Sequence, residues 1–294
     1  MTTLTRVAFA VLVGAVCTGA QTTSMRGKTP VPVFVVIKEA YSPGIILDPL
    51  FLLAGNTIRP FPDPCDLSPR KQAVFKRYVR PGARYTLVFG GAAVGSVVVG
   101  PLEENLFPES TVKLETRISV QRLDMALAVH PSIVLPKACL RRNPTASERR
   151  RAERLTRSNF RARGVRTSEF LRMRIEQLTV MPMSSDDPEI VVAASIEDTE
   201  RTGIQWSLLF VASEKSDDAD ALWFQHAKKE TDAQSLYIVD RIDVDGDGVN
   251  EVVARRVFYE DYLYEAYKQQ NGHWNKIFTP GPYNCVAWIH PQTE

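Results

Sequence analysis

The chain has 294 residues, 44% of them hydrophobic and 24% charged, with a formal net charge of +2. That length allows one large domain or two modest ones, and the composition is that of a packed globular chain rather than a disordered or fibrous one. A charge this close to balance supplies no overall field that would point to a polyanionic partner.

The first twenty residues read as an export signal. Arg6 is a lone early charge, Val7 to Val16 is a short apolar core, and Thr18-Gly19-Ala20 are small residues fit for cleavage. The core, about ten residues, is too short to span a membrane, and no other stretch is long and apolar enough to do so. Cys17 follows Gly14-Ala15-Val16, which lacks the pattern that precedes a lipidated cysteine, so soluble export to a secreted or periplasmic location is expected, with no transmembrane segment after cleavage. Cys65, Cys139 and Cys285 remain in the mature chain. An oxidising compartment allows one disulfide and one free thiol, or three buried thiols, and the pairing stays open.

Residues 21–30 are a polar lead-in, and residues 31–136 read as a β-rich N-terminal unit. Val31 to Lys38 is strand-like, whereas prolines and aspartates between Asp48 and Cys65 are expected to interrupt regular structure. Ser68-Pro69 opens a short helix with Val74, Phe75 and Tyr78 at helical spacing, ended by Pro81-Gly82. Tyr85–Phe89 and Val94–Val99, joined through Gly90-Gly91, read as a hairpin, and Thr111 to Val120 alternates as a half-buried strand.

Residues 137–167 form a basic helical connector. Between Lys137 and Arg166 stand eleven Lys or Arg against Glu148 and Glu153. Thr145 and Glu148 make a capping box, and Gly164 marks the helix end. Arg150, Arg154, Arg157 and Arg161 share one face, with Ala152, Leu155 and Ala162 on another. The functional reading is an anionic surface or polymer docked on the arginines; the bland reading is a solvated helix on a narrow apolar stripe. Nucleic acid is not the expected partner, because Phe160 is the only aromatic residue there to stack on a base.

Residues 168–294 read as a β-meander. The expected strands are Gln177–Met181, Glu189–Ser195, Gln205–Ala212, Ala221–His226, Leu236–Ile242, Glu251–Tyr259, Tyr262–Gln269 and His273–Phe278. Asn271-Gly272 is a strong two-residue hairpin signal. The acidic linkers beginning at Ser184 and Ser216 read as solvated loops. Tyr262, Tyr264, Tyr267 and Trp274 crowd the last hairpin, either as cross-strand packing or as the lining of a carbohydrate or peptide groove.

Within the meander stands Asp243-Val-Asp-Gly-Asp-Gly-Val-Asn-Glu251. Alternate carboxylates with glycines between them are what a hard divalent cation needs, because it takes six to eight oxygens at short range. Without a cation, carboxylates ~5 Å apart at an effective dielectric of ~20 repel by roughly 3 kcal/mol per pair, so an empty loop is expected to be expanded or frayed. The EF-hand pattern fails, since Ala254 stands at position 12 and both flanks read as strands. A strand, then DxDGDGxxE, then a strand resembles the calcium loops of FG-GAP/VCBS (integrin-α-like) repeats, and the last third is similar to uncharacterised bacterial exported proteins carrying one such loop. The resemblance covers about a dozen residues and implies Asp243, Asp245, Asp247, Val249 and Glu251 as ligands of a structural Ca²⁺. A solvated acidic turn without metal is one competing reading; phosphoryl chemistry on the D-x-D-G run is another, against which Asp247 and Gly248 depart from the patterns of such loops.

Catalytic signals are sparse. His130, His226, His273 and His290 fall in no zinc spacing, and there is no nucleophile elbow or P-loop. The expected fold is mainly β (α+β): a C-terminal antiparallel meander with a strand-flanked calcium loop, a smaller β-rich N-terminal part and one or two short helices. The expected function is a calcium-stabilised, non-catalytic binding or envelope-associated protein. The alternatives are a hydrolase on an envelope polymer or polysaccharide, with structural calcium, and an anionic-surface binder working through the Arg helix.

Overall fold

The computed structural model describes residues 29–38, 44–62, 68–101, 110–119, 124–135, 141–183, 187–197, 204–213, 219–258 and 261–280. The first twenty residues, expected to be a signal peptide, and Cys65, Cys139, Cys285 and most of the two acidic linkers lie outside these.

The N-terminal strands are Val31–Lys38 (β1), Ile45–Ala54 (β2), Thr57–Arg59 (β3), Arg84–Phe89 (β4), Ala92–Val99 (β5), Ser110–Thr116 (β6) and Met125–Val129 (β7), with helix Pro69–Tyr78 (α1) before β4. Their order is β1-β7-β4-β5-β6-β2-β3, and β1 also pairs with β2, so six antiparallel strands close on themselves as a small barrel. Closure removes the unpaired edges that an open sheet would expose. Phe34, Val36, Leu87, Val97 and Ala126 fill the interior, and Phe75 of α1 and Val79 just past its end join the same core. Phe61 stacks on Phe75 with ring centroids 5.4 Å apart.

The expected break at Asp48-Pro49 does not occur. β2 runs through it, because the β1 pairing shifts register there: Phe34 faces Pro49 while Val33 faces Phe51, which leaves Leu50 as the extra residue. A proline at a bulge removes no ladder hydrogen bond. The bend also lets Ile45–Leu47 pair with β6 and Leu52–Ala54 with β3.

Two four-stranded antiparallel meanders follow. The first is Met173–Met181 (β8), Glu189–Glu197 (β9), Ile204–Ser213 (β10) and Asp220–His226 (β11); the second is Ser235–Ile242 (β12), Glu251–Val257 (β13), Tyr262–Gln270 (β14) and His273–Phe278 (β15). The fold is therefore mainly β in three antiparallel sheets, as expected. Helix Ala146–Ala162 (α2) lies on the outer face of the first meander, burying Ala152, Leu155 and Phe160 against Val192 and Phe210. The Thr145–Glu148 capping box forms, and Gly164 sits at φ +86° past the helix end. Ala162, expected on the apolar stripe, is exposed, and Phe160 takes the buried position.

The second meander is the middle layer. Leu236, Ile238, Val252 and Ala254 pack on the first meander, while Val239, Ile242, Val253 and Ala266 pack on the barrel strands β1, β2 and β7. Burial on both faces explains why β13 opens with four consecutive buried residues instead of alternating.

Polar side chains join the layers. Gln177 accepts from the Ile238 N–H at 2.8 Å and donates to the Ile238 carbonyl at 2.7 Å, satisfying both halves of its amide. Asp48 of the barrel accepts from the hydroxyls of Tyr262 (2.8 Å) and Tyr264 (2.7 Å). In the other direction Asp240, 0% exposed, accepts from the N–H groups of Gly90 (2.8 Å) and Gly91 (3.0 Å) in the β4–β5 turn. Burial pushes the Asp240 carboxyl above its ordinary range, against the pull of the Arg141 charge and of those N–H groups. Gly91 has φ +73°, and a Cβ there would lie 2.7 Å from Nε of Arg241. The left-handed turn therefore favours glycine, and a larger residue would also have to displace the Arg241 side chain.

Candidate metal centre

The loop from Asp243 to Asn250 joins β12 to β13, and two pieces of local chemistry shape it. Asp243 folds the chain back on itself, accepting from the N–H of Gly246 at 2.7 Å and of Gly248 at 2.9 Å. Gly246 (φ +75°) and Gly248 (φ +87°) supply the left-handed conformations that this wrapping needs. Asp245 and Asp247 repeat the device two residues on, accepting from Asp247 N–H (3.3 Å) and Val249 N–H (2.9 Å). As a result one carboxylate oxygen from each of Asp243, Asp245 and Asp247 lies within 4.8 Å of the others. Among the described residues this is the only convergent group of three or more His, Cys, Asp or Glu side chains.

Glu251 opens β13 and is 0% exposed. Its Oε2 accepts from the N–H of Val244 at 2.7 Å and so closes the loop from below. The first meander repeats the glutamate contact: Glu189, at the start of β9, accepts from Met183 N–H at 2.7 Å. In each case the donor lies two residues past the end of the preceding strand. The two meanders thus share this contact, and the glycine-rich DxDGDG sequence belongs to the second.

The loop is compact, and a residue that the motif does not contain helps to hold it so. Lys268 of β14 stands opposite Glu251 in the β13–β14 ladder. Its ammonium lies 2.7 Å from Asp245, 2.9 Å from Asp247 and 2.7 Å from Glu251, with the residue only 6% exposed. One buried cation therefore holds three carboxylates together and cancels part of the repulsion that would otherwise open the loop. Burial acts to lower the Lys268 pKa, but the three carboxylates outweigh it and keep the ammonium charged well above its usual range. Hydrogen bonds from Lys268 and Val249 N–H hold Asp247 below the ordinary carboxylate range, despite partial burial that acts upward. Loss of water dominates at Glu251, whose carboxyl is pushed up to about 7.

Lys268 meets three of the four carboxylates, so the group keeps a net negative charge with or without a proton on Glu251. A divalent cation fits the donor chemistry: carboxylate oxygens on a glycine-rich turn, at a spacing that hard ions accept. Asp243, Asp245, Asp247 and Glu251 are the residues that would hold it; Val249 is placed on the loop, its N–H bonded to Asp247.

Hairpin arithmetic would have located Lys268. If the four residues 258–261 form the turn, Val257 pairs with Tyr262, and Glu251 must then face Lys268. The aromatic residues of the last hairpin are consumed by packing between layers. Tyr264 and Tyr267 are buried, with hydroxyls on Asp48 and Glu265. Glu265 also accepts from Arg256 (2.7 Å) and Lys276 (2.9 Å). His226 stacks on Trp206 at 3.6 Å, and His130 meets Ser132; neither joins the acidic loop. No helix among the described residues is long and apolar enough to cross a membrane. Comparison with protein-family models, with curated proteins and with solved structures returned no match.

Proposed function

We propose that this is an exported, calcium-stabilised, non-catalytic binding protein in which a Ca²⁺ at Asp243, Asp245, Asp247 and Glu251 fixes the corner between β12 and β13. The observation that carries the reading is the convergence of three loop carboxylates above a fully buried Glu251, at the edge of the sheet on which both other layers rest. A cation there stiffens the middle layer, which is a structural role. The resemblance of DxDGDGxxE to FG-GAP/VCBS loops supports the choice of Ca²⁺ over smaller ions, as does export into a calcium-rich compartment. What favours binding over hydrolysis is the fate of the tyrosines: Tyr262 and Tyr264 face the barrel and hydrogen-bond to Asp48 instead of lining an open groove. The test is thermal unfolding of the mature protein in EDTA, Ca²⁺ or Mg²⁺, beside Asp245→Ala. At about 100 times Kd, Ca²⁺ should add about 2.7 kcal/mol. A Ca²⁺-specific rise that the variant lacks supports the reading; an unchanged midpoint rejects it.

A second reading concerns partners. Arg150, Arg154, Arg157 and Arg161 are exposed on α2, and Arg157 and Arg161 each lie 5.7 Å from the Phe170 ring centroid, which helps hold them in place. This face is suited to an anionic surface or polymer. Reversal of all four to Glu should abolish binding to anionic vesicles or cell-wall polymer, and binding that survives the reversal would end the reading.

A further inference from the structure

A cleft of about 530 Å³ opens where the end of α1 meets the β1 and β4 strands of the barrel. Its wall includes Pro30, Tyr78, Arg77, Arg80, Arg84 and His130, and among the described residues no Asp or Glu lines it. The sequence around it is equally one-sided: residues 67–101 contain Arg70, Lys71, Lys76, Arg77, Arg80 and Arg84, and not one acidic residue. Of the lining arginines, Arg84 is paired, with Glu115 at 2.6 Å. Among the described residues Arg77 and Arg80 have no carboxylate partner.

The wall is held in position by hydrogen bonds that do not use its cationic groups. The Tyr78 hydroxyl donates to the Pro30 carbonyl at 3.0 Å, and the Tyr85 hydroxyl donates to the Tyr78 carbonyl. His130 Nδ1 accepts from Ser132 N–H at 3.2 Å and meets the Ser132 hydroxyl at 2.8 Å. With Nδ1 committed as acceptor, the ring proton sits on Nε2, which is then a donor. Guanidinium forks match tetrahedral oxyanions with paired N–H groups, and their weak hydration makes them the preferred side chains for phosphate. The volume exceeds that of a bare phosphate and falls within the usual range for small organic ligands.

We propose that this cleft is an oxyanion site for a phosphate-type group. Arg77, Arg80 and the His130 Nε2–H are its donors, and the organic remainder of a phosphate ester rests on Pro30 and Tyr78. The group comes either from a soluble phosphate compound or from a lipid headgroup. The site lies on the barrel, a different layer from the α2 arginines, and it does not depend on the calcium loop.

The experiment titrates the full mature chain with inorganic phosphate at constant ionic strength set with KCl, following the unfolding midpoint and calorimetric binding. In parallel it measures co-sedimentation with phosphatidylcholine vesicles, with and without phosphatidylglycerol. The variants are Arg77→Ala/Arg80→Ala, whose side chains are exposed, and Arg150→Glu/Arg154→Glu as a control on the other layer. Phosphate should raise the midpoint of the wild type and of the control, with affinity falling about tenfold or more in the Arg77/Arg80 variant. Phosphate binding without sedimentation assigns a soluble phosphate compound. Sedimentation that needs phosphatidylglycerol and Arg77/Arg80 assigns the headgroup. No binding in either arm, or binding equal in the Arg77/Arg80 variant, overturns the proposal.

Discussion

Replacing Lys268 with Met is the sharpest perturbation of the acidic corner, because it removes the one charge that the loop carboxylates share and keeps most of the volume. In the wild type the ammonium lies 2.7–2.9 Å from Asp245, Asp247 and Glu251. Without it, carboxylates ~5 Å apart at an effective dielectric of ~20 repel by roughly 3 kcal/mol per pair before relaxation. Loop opening and protonation of Glu251 relieve much of this. Losing one partner of a buried ion pair costs about 3–5 kcal/mol. The lower end applies here because the Asp247 side chain is 49% exposed and screened by water. About 3 kcal/mol corresponds to a fall in Tm of roughly 5 °C for a chain of this size, at the unfolding entropy of ~2.1 cal/mol/K per residue. The assay is thermal unfolding by circular dichroism in EDTA and in millimolar Ca²⁺. Lys268→Met should fall by that amount in EDTA and recover in Ca²⁺, with a larger calcium-induced rise than the wild type, since metal and ammonium draw on the same oxygens. An unchanged midpoint in EDTA would show that the lysine does not hold the loop. A fall that Ca²⁺ leaves uncorrected in the variant would leave a lysine-closed turn with no cation site.

Three other outcomes follow from the same geometry. Gly91→Ala should cost about 2–4 kcal/mol in urea denaturation, from the left-handed backbone and from displacement of Arg241 by the new methyl; wild-type stability would show that the β4–β5 turn does not seat against β12. Tyr264→Phe should cost about 1–2 kcal/mol, and in a double-mutant cycle with Asp48→Ala it should show coupling of about 1 kcal/mol; strict additivity would mean that the bond between barrel and meander contributes nothing. In EDTA the unfolded chain releases the Glu251 proton near its ordinary pKa of 4.5, whereas the folded chain keeps it to about 7. Folded protein therefore binds the extra proton in that window, and stability should fall as pH rises through it, by up to roughly 3 kcal/mol. Glu251→Gln should flatten this slope, and an identical slope in the variant would remove Glu251 as its source.

Much of the C-terminal half was legible in the linear pattern. Hairpins are local: Asn271-Gly272, with φ +55° and +78°, occupies the turn that its residue types demand, and β9 to β15 begin within a residue of where alternation and turn residues place them. The capping box of α2 was equally readable, because Thr145 and Glu148 satisfy each other across three residues. The first half was less so. β2 carries a proline that its sequence neighbours do not excuse, and only the bulge against β1 makes Pro49 tolerable. Barrel closure depends on β1 meeting both β2 and β7, strands separated by most of the unit, and no local signal records that choice.

The same division runs through the site. The aspartates, the glycines and the corner they make follow from residue chemistry within nine positions of chain, so the sequence alone determined that a dense carboxylate loop lies between two strands. Tertiary structure decided what surrounds it. Lys268 arrives from a neighbouring strand, and Glu251 is buried because the second meander is covered on both faces. Asp48 and the tyrosines meet across 214 and 216 positions. Turn chemistry is set by adjacent residues, whereas the electrostatics of a buried group depend on everything packed around it, and packing partners are chosen by the whole fold.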